Sequence, residues 1–353
     1  MGLTAPIAGL HTVQRIRRGA WVHATTPRPP VGLTPHSVVH RHDKLTVRHY
    51  PAAPSTDRLL PVVLVPSLIN KAYILDLEPG RSLVEWLSAK GHPVYLVDWG
   101  TPGDEDADED VGYVLLELLH RSITRACRHA GTQQCVLFGY CMGGTLAAMY
   151  TALRPRHVAS LVVLNAPFKF SEGGRFRQLA DPAHLDAEAA IRDDALLSVE
   201  VMKPAFKLLD PMGNWTKFLG VEAAADDPRR LAQVLARERW LEENVPLTGA
   251  FAREFITCAY QQDRLIDGTW IIRGEAVDLQ RIQCPLLAVI STRDFITPPA
   301  AALPIADAVG SATVEVEQLD TGHIGVVVGS IGPRVFYPLL HDWCQRTANG
   351  SLV

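Results

Sequence analysis

One stretch of the chain identifies the fold class: Cys135-Val136-Leu137-Phe138-Gly139-Tyr140-Cys141-Met142-Gly143-Gly144-Thr145-Leu146-Ala147-Ala148. It reads as a short apolar strand, an abrupt turn and the start of a small-residue helix. The turn has the G-x-C-x-G pattern of a nucleophile elbow, with the thiol of Cys141 where a serine usually stands. A nucleophile on such a turn has strained backbone, and the flanking glycines avoid collisions between strand and helix. The alternative is a buried cysteine in an ordinary βα turn.

The elbow lies within an alternation of predicted strands and helices. The predicted elements are strands over residues 60–66, 92–100 and 158–167, helices over 82–90 and 111–129, and two late strands over 284–291 and 312–317. Alternation of this kind is typical of a parallel sheet with crossover helices. The sequence therefore predicts an α/β fold of the α/β-hydrolase type, with a mostly parallel central sheet flanked by helices.

The domain organisation follows from where this alternation holds and where it breaks. Residues 43–167 and 269–346 carry it and form the predicted core, with an edge strand near residues 40–50. Residues 168–268 are mainly helical and are predicted to be a cap inserted between sheet strands. Residues 1–42 contain no Asp or Glu, are rich in arginine and proline, and are predicted to be a loosely ordered basic segment.

Composition limits the classes of function. The formal net charge of -4 indicates no nucleic-acid partner, and no apolar run reaches the roughly 18 residues needed to span a bilayer. The six scattered cysteines lack disulfide or zinc spacing, which favours a reducing, cytoplasmic location. The acidic loop at residues 101–110 has no nearby histidine and reads as a solvated connection. We therefore expect neither a metal nor a bound cofactor.

An acid and a histidine follow the two late predicted strands in the order that this fold requires. Asp294 comes just after the strand at 284–291, and His323 lies on a glycine-flanked loop after the strand at 312–317. The triad of an α/β-hydrolase runs nucleophile, acid, histidine along the chain. Taken singly, Asp294 could be a helix cap and His323 a structural histidine. Their joint agreement with Cys141 predicts a catalytic triad.

A thiol nucleophile favours some acyl substrates and reactions over others. His323 is the predicted base and Asp294 the residue that orients it, while the N–H of Met142 and one from the loop at residues 68–70 would hold an oxyanion. Exchanging one thioester for another is nearly neutral in energy, which favours acyl transfer from a coenzyme A thioester over simple hydrolysis. Cysteine hydrolases exist on this fold, so a thioesterase or esterase stays open as the alternative.

The sequence resembles the catalytic subunit of polyhydroxyalkanoate synthases, which polymerise 3-hydroxyacyl-CoA. The resemblance covers roughly residues 35–345 and rests on several motifs. These are Asp43-Lys44-Leu45, Leu68-Ile69-Asn70-Lys71-Ala72-Tyr73, Val97-Asp98-Trp99-Gly100, Gly139-Tyr140-Cys141-Met142-Gly143-Gly144, Tyr260-Gln261-Gln262-Asp263, Asp294 with Pro298-Pro299, and Gly322-His323-Ile324-Gly325.

The resemblance implies a role for each matching residue. Cys141 would be the acylated nucleophile, His323 the base, and Asp294 the residue that orients His323 or activates the incoming hydroxyl; Ile69 would supply the second oxyanion N–H. The substrates implied are 3-hydroxyacyl-CoA and the growing polyester. The short length is similar to the class III (or class IV) enzymes and implies a second synthase subunit, a homodimer or hetero-oligomer, and work at a polymer granule surface.

One departure from the family pattern bears on this reading. The family usually has a histidine directly after the catalytic aspartate, whereas this chain has Phe295. A member that transfers or hydrolyses acyl groups without making polymer therefore stays open. So does a granule-associated scaffold without catalysis, although the intact set of Cys141, Asp294 and His323 argues against it.

Overall fold

The central feature of the molecule is a sheet of eight strands. The computed structural model describes residues 5–55, 59–191, 195–209 and 213–352. The strands of the chain are β1 (Ser37–His42), β2 (Leu45–Tyr50), β3 (Val62–Val65), β4 (Val94–Asp98), β5 (Cys135–Tyr140), β6 (Val158–Leu164), β7 (Leu196–Leu197), β8 (Leu247–Thr248), β9 (Ile271–Ile272), β10 (Glu275–Ala276), β11 (Leu286–Ser291) and β12 (Val314–Leu319).

The sheet has the order β1-β2-β4-β3-β5-β6-β11-β12. Neighbours from β4 to β12 pair in parallel, and β1 and β2 form an antiparallel hairpin at one edge. The predicted α/β class with a mostly parallel sheet is thus confirmed. The edge strand predicted near residues 40–50 is instead two strands, because Asp43 takes a left-handed φ of 50° and turns the chain.

Fifteen α-helices lie among the described residues, some on the two faces of the sheet and others away from it. They are α1 (Ala5–Thr25), α2 (Leu83–Ala89), α3 (Val111–Tyr113), α4 (His120–Ala130), α5 (Met142–Leu153), α6 (Gly174–Leu179), α7 (Ala187–Ile191), α8 (Val199–Leu209), α9 (Gly213–Ala224), α10 (Pro228–Glu242), α11 (Gly249–Phe255), α12 (Pro299–Ala302), α13 (Ile305–Ala308), α14 (Gly325–Val328) and α15 (Tyr337–Ala348). π-Helical turns occur at Val114–Leu119, Ile256–Gln261 and Gly332–Phe336, and the first joins α3 to α4.

Two large apolar clusters form the core around the sheet, one on each face, and a small third cluster of Val22, Val221 and Leu235 joins α1, α9 and α10. Successive side chains of a strand point to opposite faces, so Val63 and Val65 enter one cluster while Val62 and Leu64 enter the other. The first cluster includes α5 and the second includes α2 and α15. Strands buried on both sides explain why these runs are continuously apolar rather than alternating.

The N-terminal segment was predicted to be loosely ordered, and the structure corrects this. Residues 5–25 form α1, which packs against α9, while residues 1–4 lie outside the described residues. Arg15 pairs with Glu222 at 2.9 Å and Arg18 with Asp226 at 2.7 Å. The acidic partners stand some two hundred residues further along the chain, so the local sequence does not indicate them.

The region between β6 and β11 is largely helical, as predicted for the cap at residues 168–268. It contains α6 to α11 and the short antiparallel ribbon of β7 and β8; residues 192–194 and 210–212 of the predicted cap lie outside the described residues. Within the described part of the chain, no helix is long and apolar enough to cross a membrane. The division into core and cap remains a prediction, and the word cap below denotes the largely helical region between β6 and β11.

Candidate active site

Cys141 occupies the turn between β5 and α5 with an unusual backbone. Its φ of 56° and ψ of -131° place a non-glycine residue in a region that L-amino acids seldom adopt. The N–H of Cys141 donates to the carbonyl of Leu164, at the end of β6, over 2.9 Å. This turn projects the thiol above the carboxyl ends of the strands, as the G-x-C-x-G pattern predicts.

The flanking glycines are needed because the backbone passes very close to them. A Cβ at position 139 would lie 2.4 Å from the Cα of Gly144, and one at position 143 would lie 2.2 Å from the carbonyl oxygen of Val65. No real side chain tolerates such contacts, and the atoms approached are backbone atoms of buried elements. The glycines therefore permit the close packing of strand, turn and helix that the strained cysteine requires.

Asp294 and His323 meet next to this turn. Asp294 Oδ2 lies 2.6 Å from His323 Nδ1, and both residues are buried. The other carboxylate oxygen of Asp294 accepts the N–H groups of Ile296 and Thr297, each at 2.9 Å. These two bonds hold the carboxylate in one orientation, so it presents a single oxygen to the imidazole.

The charges around His323 favour its protonated form. Burial alone lowers the pKa of His323, but the charges of Asp294 and Cys141 and their side-chain hydrogen bonds outweigh burial and raise that pKa to about 10. The structure thus brings Cys141, His323 and Asp294 together, in the order predicted from the sequence. An imidazole held between a carboxylate and a thiol can accept the thiol proton and return it later.

The two N–H groups predicted to bind an oxyanion belong to different elements of the fold. Met142 is the first residue of α5, and Ile69 lies in the loop after β3. Among the described residues, no backbone hydrogen bond uses the N–H of either one. The Ile69 loop is held in place, since its carbonyl accepts the N–H of Val245 at 2.9 Å. First-turn N–H groups of a helix suit a developing negative charge.

Three residues of the site escaped prediction from the sequence. Tyr140 donates its hydroxyl to the carbonyl of His323 at 3.1 Å, and the amide of Asn165 donates to the same carbonyl at 3.1 Å. Burial, together with the charge of Cys141, raises the pKa of the Tyr260 phenol above its usual range. Tyr140 directly precedes the nucleophile and Asn165 follows a strand, but only their contacts with a distant loop distinguish them.

A cavity of about 1010 Å³ reaches His323 from the cap side. Its walls include Phe295 and Ile324 of the core, and helices α8, α9 and α10 of the cap. Six cationic side chains line it: Arg81, Lys203, Lys207, Lys217, Arg230 and Arg237. Three glutamates offset part of this charge, but among the residues that the structure describes Lys203, Lys207 and Arg230 have no acidic partner. The cavity can therefore accept a polyanionic molecule.

Over the described ranges, no three His, Cys, Asp or Glu residues are grouped so that they could hold a metal ion. In the acidic loop, Asp106 is instead paired with Lys44 at 2.7 Å.

Comparison with known proteins identifies relatives for the chain. A family model described as "alpha/beta hydrolase fold" matches residues 61–330, and one described as "Poly-beta-hydroxybutyrate polymerase (PhaC) N-terminus" matches residues 29–87. The chain is 32% identical to "Poly(3-hydroxyalkanoate) polymerase subunit PhaC" of Haloferax mediterranei, over 93% of this chain and 67% of the relative. It is 30% identical to the protein of the same name from Synechocystis sp., over 90% and 85%.

Solved structures agree on the fold alone. A monoacylglycerol lipase from Paleococcus ferrophilus superimposes with a TM-score of 0.53 at 17% identity, over 86% of this chain and 99% of the lipase. An enol-lactonase from Burkholderia xenovorans gives a TM-score of 0.52 at 16% identity, over 88% and 99%. At such low identity the likeness carries no information on substrate.

Proposed function

The chain belongs to the poly(3-hydroxyalkanoate) polymerase family and is an acyltransferase on the alpha/beta hydrolase fold, and on this premise we propose how its residues perform the reaction. The Cys141 thiolate attacks the carbonyl of a 3-hydroxyacyl-CoA, with its proton held on His323. CoA leaves as the thiol when it takes that proton, and the acyl group remains on Cys141 as a thioester. The hydroxyl end of the growing polyester then attacks this thioester, gives its proton to His323, and frees Cys141 for the next unit.

The observation that carries this proposal is the arrangement of Asp294, His323 and Cys141 at the elbow. The 2.6 Å contact between Asp294 and His323 supports the imidazolium that forms when Cys141 is deprotonated. The N–H groups of Met142 and Ile69 would stabilise the tetrahedral oxyanion of each step. Because both steps exchange an acyl group at the same sulfur, one triad serves loading and elongation.

The cationic cavity supports a CoA thioester as the acyl donor. CoA carries several phosphate charges, and Lys203, Lys207 and Arg230 supply positive charges along the approach to His323. We expect Lys207→Ala and Arg230→Ala to raise KM for 3-hydroxybutyryl-CoA. The same variants should leave KM unchanged for an N-acetylcysteamine thioester, which lacks the phosphates. Arg121→Ala is the matched control, because Arg121 pairs with Glu117 on a helix outside the cavity.

Product analysis tests the reaction itself. Purified protein is incubated with 3-hydroxybutyryl-CoA, and free CoA, free acid and insoluble polyester are measured separately. The proposal predicts CoA release with polyester as the product, and no release by Cys141→Ala. Activity retained in Cys141→Ala would contradict the assignment of the nucleophile.

A cysteine hydrolase is the second candidate, and Phe295 is the observation that favours it. Phe295 is 52% exposed and lines the cavity at the position where the family usually has histidine. If that histidine is needed to bring the polymer hydroxyl to the acyl group, water would take the place of the hydroxyl as the acyl acceptor in this chain. CoA release with free acid as the only product would establish the hydrolase, and Phe295→His would then be the variant expected to gain polymerase activity.

The names of the relatives call them subunits, which supports a second polypeptide for this chain. We propose that the active form is a homodimer or a hetero-oligomer with a second synthase subunit, acting at the surface of a polyester granule. Polymerisation should be compared with and without the co-expressed second subunit. Equal rates and equal product lengths in both preparations would contradict the requirement for a partner.

A further inference from the structure

The end of β6 carries no member of the triad, yet it contacts the backbone around all three. The carbonyl of Leu164 accepts the N–H of Cys141 at 2.9 Å. The next residue, Asn165, donates its amide to the carbonyl of His323 at 3.1 Å. The same side chain bonds twice to Ser291, the last residue of β11 and the start of the turn that carries Asp294.

The bonds between Asn165 and Ser291 extend to Asp294. The oxygen of the Asn165 amide accepts the N–H of Ser291 at 2.8 Å, and its nitrogen donates to the Ser291 hydroxyl at 3.0 Å. The carbonyl of Ser291 in turn accepts the N–H of Asp294 at 3.2 Å. Asn165 therefore connects the turn that bears the acid to the loop that bears the histidine.

Asparagine is the side chain that these contacts require. Asn165 is 1% exposed and has a left-handed φ of 47°, a conformation that asparagine tolerates better than most residues. The NH2 group of Asn165 donates two hydrogen bonds and its oxygen accepts one, so both donor hydrogens of the amide have a partner. An aspartate would lose both donors, and a glutamine would be too long for the same three contacts.

Tyr140 strengthens the same loop from a second direction. Its hydroxyl donates to the His323 carbonyl at 3.1 Å, and the two rings lie 5.2 Å apart between centroids. Burial, together with the charges of Cys141 and Asp294, raises the pKa of Tyr140 well above its usual range, so its hydroxyl remains a donor. The carbonyl of the catalytic histidine thus accepts two bonds from residues on neighbouring strands.

From these contacts we propose that Asn165 is a positioning residue for the acyl-transfer reaction, with Tyr140 as its support. Asn165 sets the distance between the imidazole of His323 and the carboxylate of Asp294. Its neighbour Leu164 binds the N–H of Cys141, which fixes the position of Cys141 relative to both. It touches no substrate and transfers no proton. This inference rests on the proposed roles of Cys141, Asp294 and His323.

The test compares variants that remove the amide without straining the backbone. Asn165→Gly keeps the left-handed φ and deletes all three contacts, while Asn165→Asp keeps the acceptor and loses both donors. We expect kcat for 3-hydroxybutyryl-CoA to fall about 10- to 100-fold in each, because small misplacements of catalytic groups are costly. KM should change by less than about threefold, since the substrate contacts are untouched.

A second readout follows the thiol directly. Alkylation of Cys141 by iodoacetamide, measured on its peptide by mass spectrometry across a pH series, reports how well His323 promotes the thiolate. In both Asn165 variants the half-maximal pH should move upward, because a displaced imidazole supports the thiolate less. Tyr140→Phe should produce a smaller shift in the same direction. The fold loss of kcat in the double variant of Tyr140→Phe and Asn165→Gly should be smaller than the product of the losses in the two single variants.

The control is Tyr150→Phe, which removes the hydroxyl of another buried tyrosine. That hydroxyl contacts His120 Nδ1 at 3.0 Å, outside the triad, so kcat and the alkylation profile should stay as in the wild type. Wild-type kcat and alkylation profile in folded Asn165→Gly or Asn165→Asp would overturn the inference. If Asn165→Gly does not fold, Asn165→Asp and Tyr140→Phe decide it. Full activity in Cys141→Ala would instead overturn the proposed function.

Discussion

Two regions are stabilised by different kinds of contact: the carboxyl ends of the strands, where the proposed triad lies, and the helical region with α1. At the sheet edge, buried strands, glycine contacts and buried hydrogen bonds fix Cys141, Asp294 and His323. On the helical side, α1 packs closely against α9 at Gly19 and Val22. Ion pairs with half-exposed side chains add to this contact, from Arg15 and Arg18 of α1 and from Arg28 just after it. Each exposed ion pair contributes little to the free energy of unfolding, and salt weakens it. Contacts between buried apolar groups are not weakened by salt in this way.

This difference matches the two tasks of the molecule. Acyl transfer needs atoms held within a fraction of an ångström, which close packing supplies. Under the proposed function the cavity walls would admit a large thioester and a growing polymer, and ion pairs join several of the residues that form these walls. Glu242 illustrates this, because it lines the cavity and pairs with both Arg28 and Lys217 at 2.6 Å.

The largest effect is expected from Asp294→Asn at the sheet edge. Loss of the carboxylate charge should lower kcat by ~10³-fold or more while the fold remains.

The same carboxylate should affect how stability depends on pH. Because the pKa of His323 is raised in the native protein, protonation of His323 contributes fully to stability below about pH 6.5, and this contribution is lost as the pH rises toward about 10. Unfolding in urea across this pH range should show a slope of at most ~1.4 kcal/mol per pH unit, reduced in the variant. An unchanged slope would contradict the assigned cause.

A pair of glycine variants compares a tightly packed position at the turn of Cys141 with an open position on α9. Gly143→Ala places a methyl group 2.2 Å from the Val65 carbonyl and should cost ~3 kcal/mol of stability together with activity. The matched control, Gly220→Ala in α9, meets nothing within 4 Å and should be neutral or stabilising by ~0.5–1 kcal/mol. Urea unfolding measures both. Similar losses in the two variants would remove the contrast.

A smaller effect is expected where α1 crosses the cap. A Cβ at position 19 would lie 1.9 Å from the carbonyl oxygen of Phe218, so Gly19→Ala should push α1 away from α9 at a cost of about 1–2 kcal/mol. Limited proteolysis should then cleave α1 while the sheet stays resistant. Ala24→Val, on the exposed side of the same helix, is the control. Co-operative loss of the whole fold in Gly19→Ala would show that α1 belongs to the core.

The smallest effect is expected from the ion pairs themselves. Arg28→Ala removes one partner of Glu242 and should change stability by less than about 1 kcal/mol, because Lys217 remains. Its visible consequence should be a greater sensitivity of CoA release to NaCl, measured from low to high salt. The wild-type salt dependence in Arg28→Ala would mean that this pair does not influence the cavity.

Several features of the site were predictable because they depend on local spacing. The glycines around Cys141 predict the nucleophile elbow. Asp294 and His323 both follow late strands, and the carboxyl ends of parallel strands lie at the same end of a sheet, so these two side chains were expected near the elbow. The motifs through residues 35–345 indicated the family, and the relatives confirm it. The residue roles at this site remain predictions until the variants are measured.

Other features depend on partners that are distant in the chain. The arginines of the first 42 residues looked like those of a loosely ordered tail, since their acidic partners belong to α9 and α10. Nothing in the local sequence marks Lys203 and Arg230 as neighbours, and only the folded structure places both at one cavity. No local pattern reports which distant helix a charged side chain will face.

Local sequence was sufficient to predict an α/β fold with a mostly parallel sheet and to single out Cys141 as the candidate nucleophile, because hydrophobic periodicity and glycine placement act over a few residues. The tertiary structure was needed to reveal the bonds of Asn165 across three strands, the cationic cavity and the docking of α1. Those features arise where segments remote in sequence meet, and the free energy that brings them together comes from burial of the whole core rather than from the residues themselves.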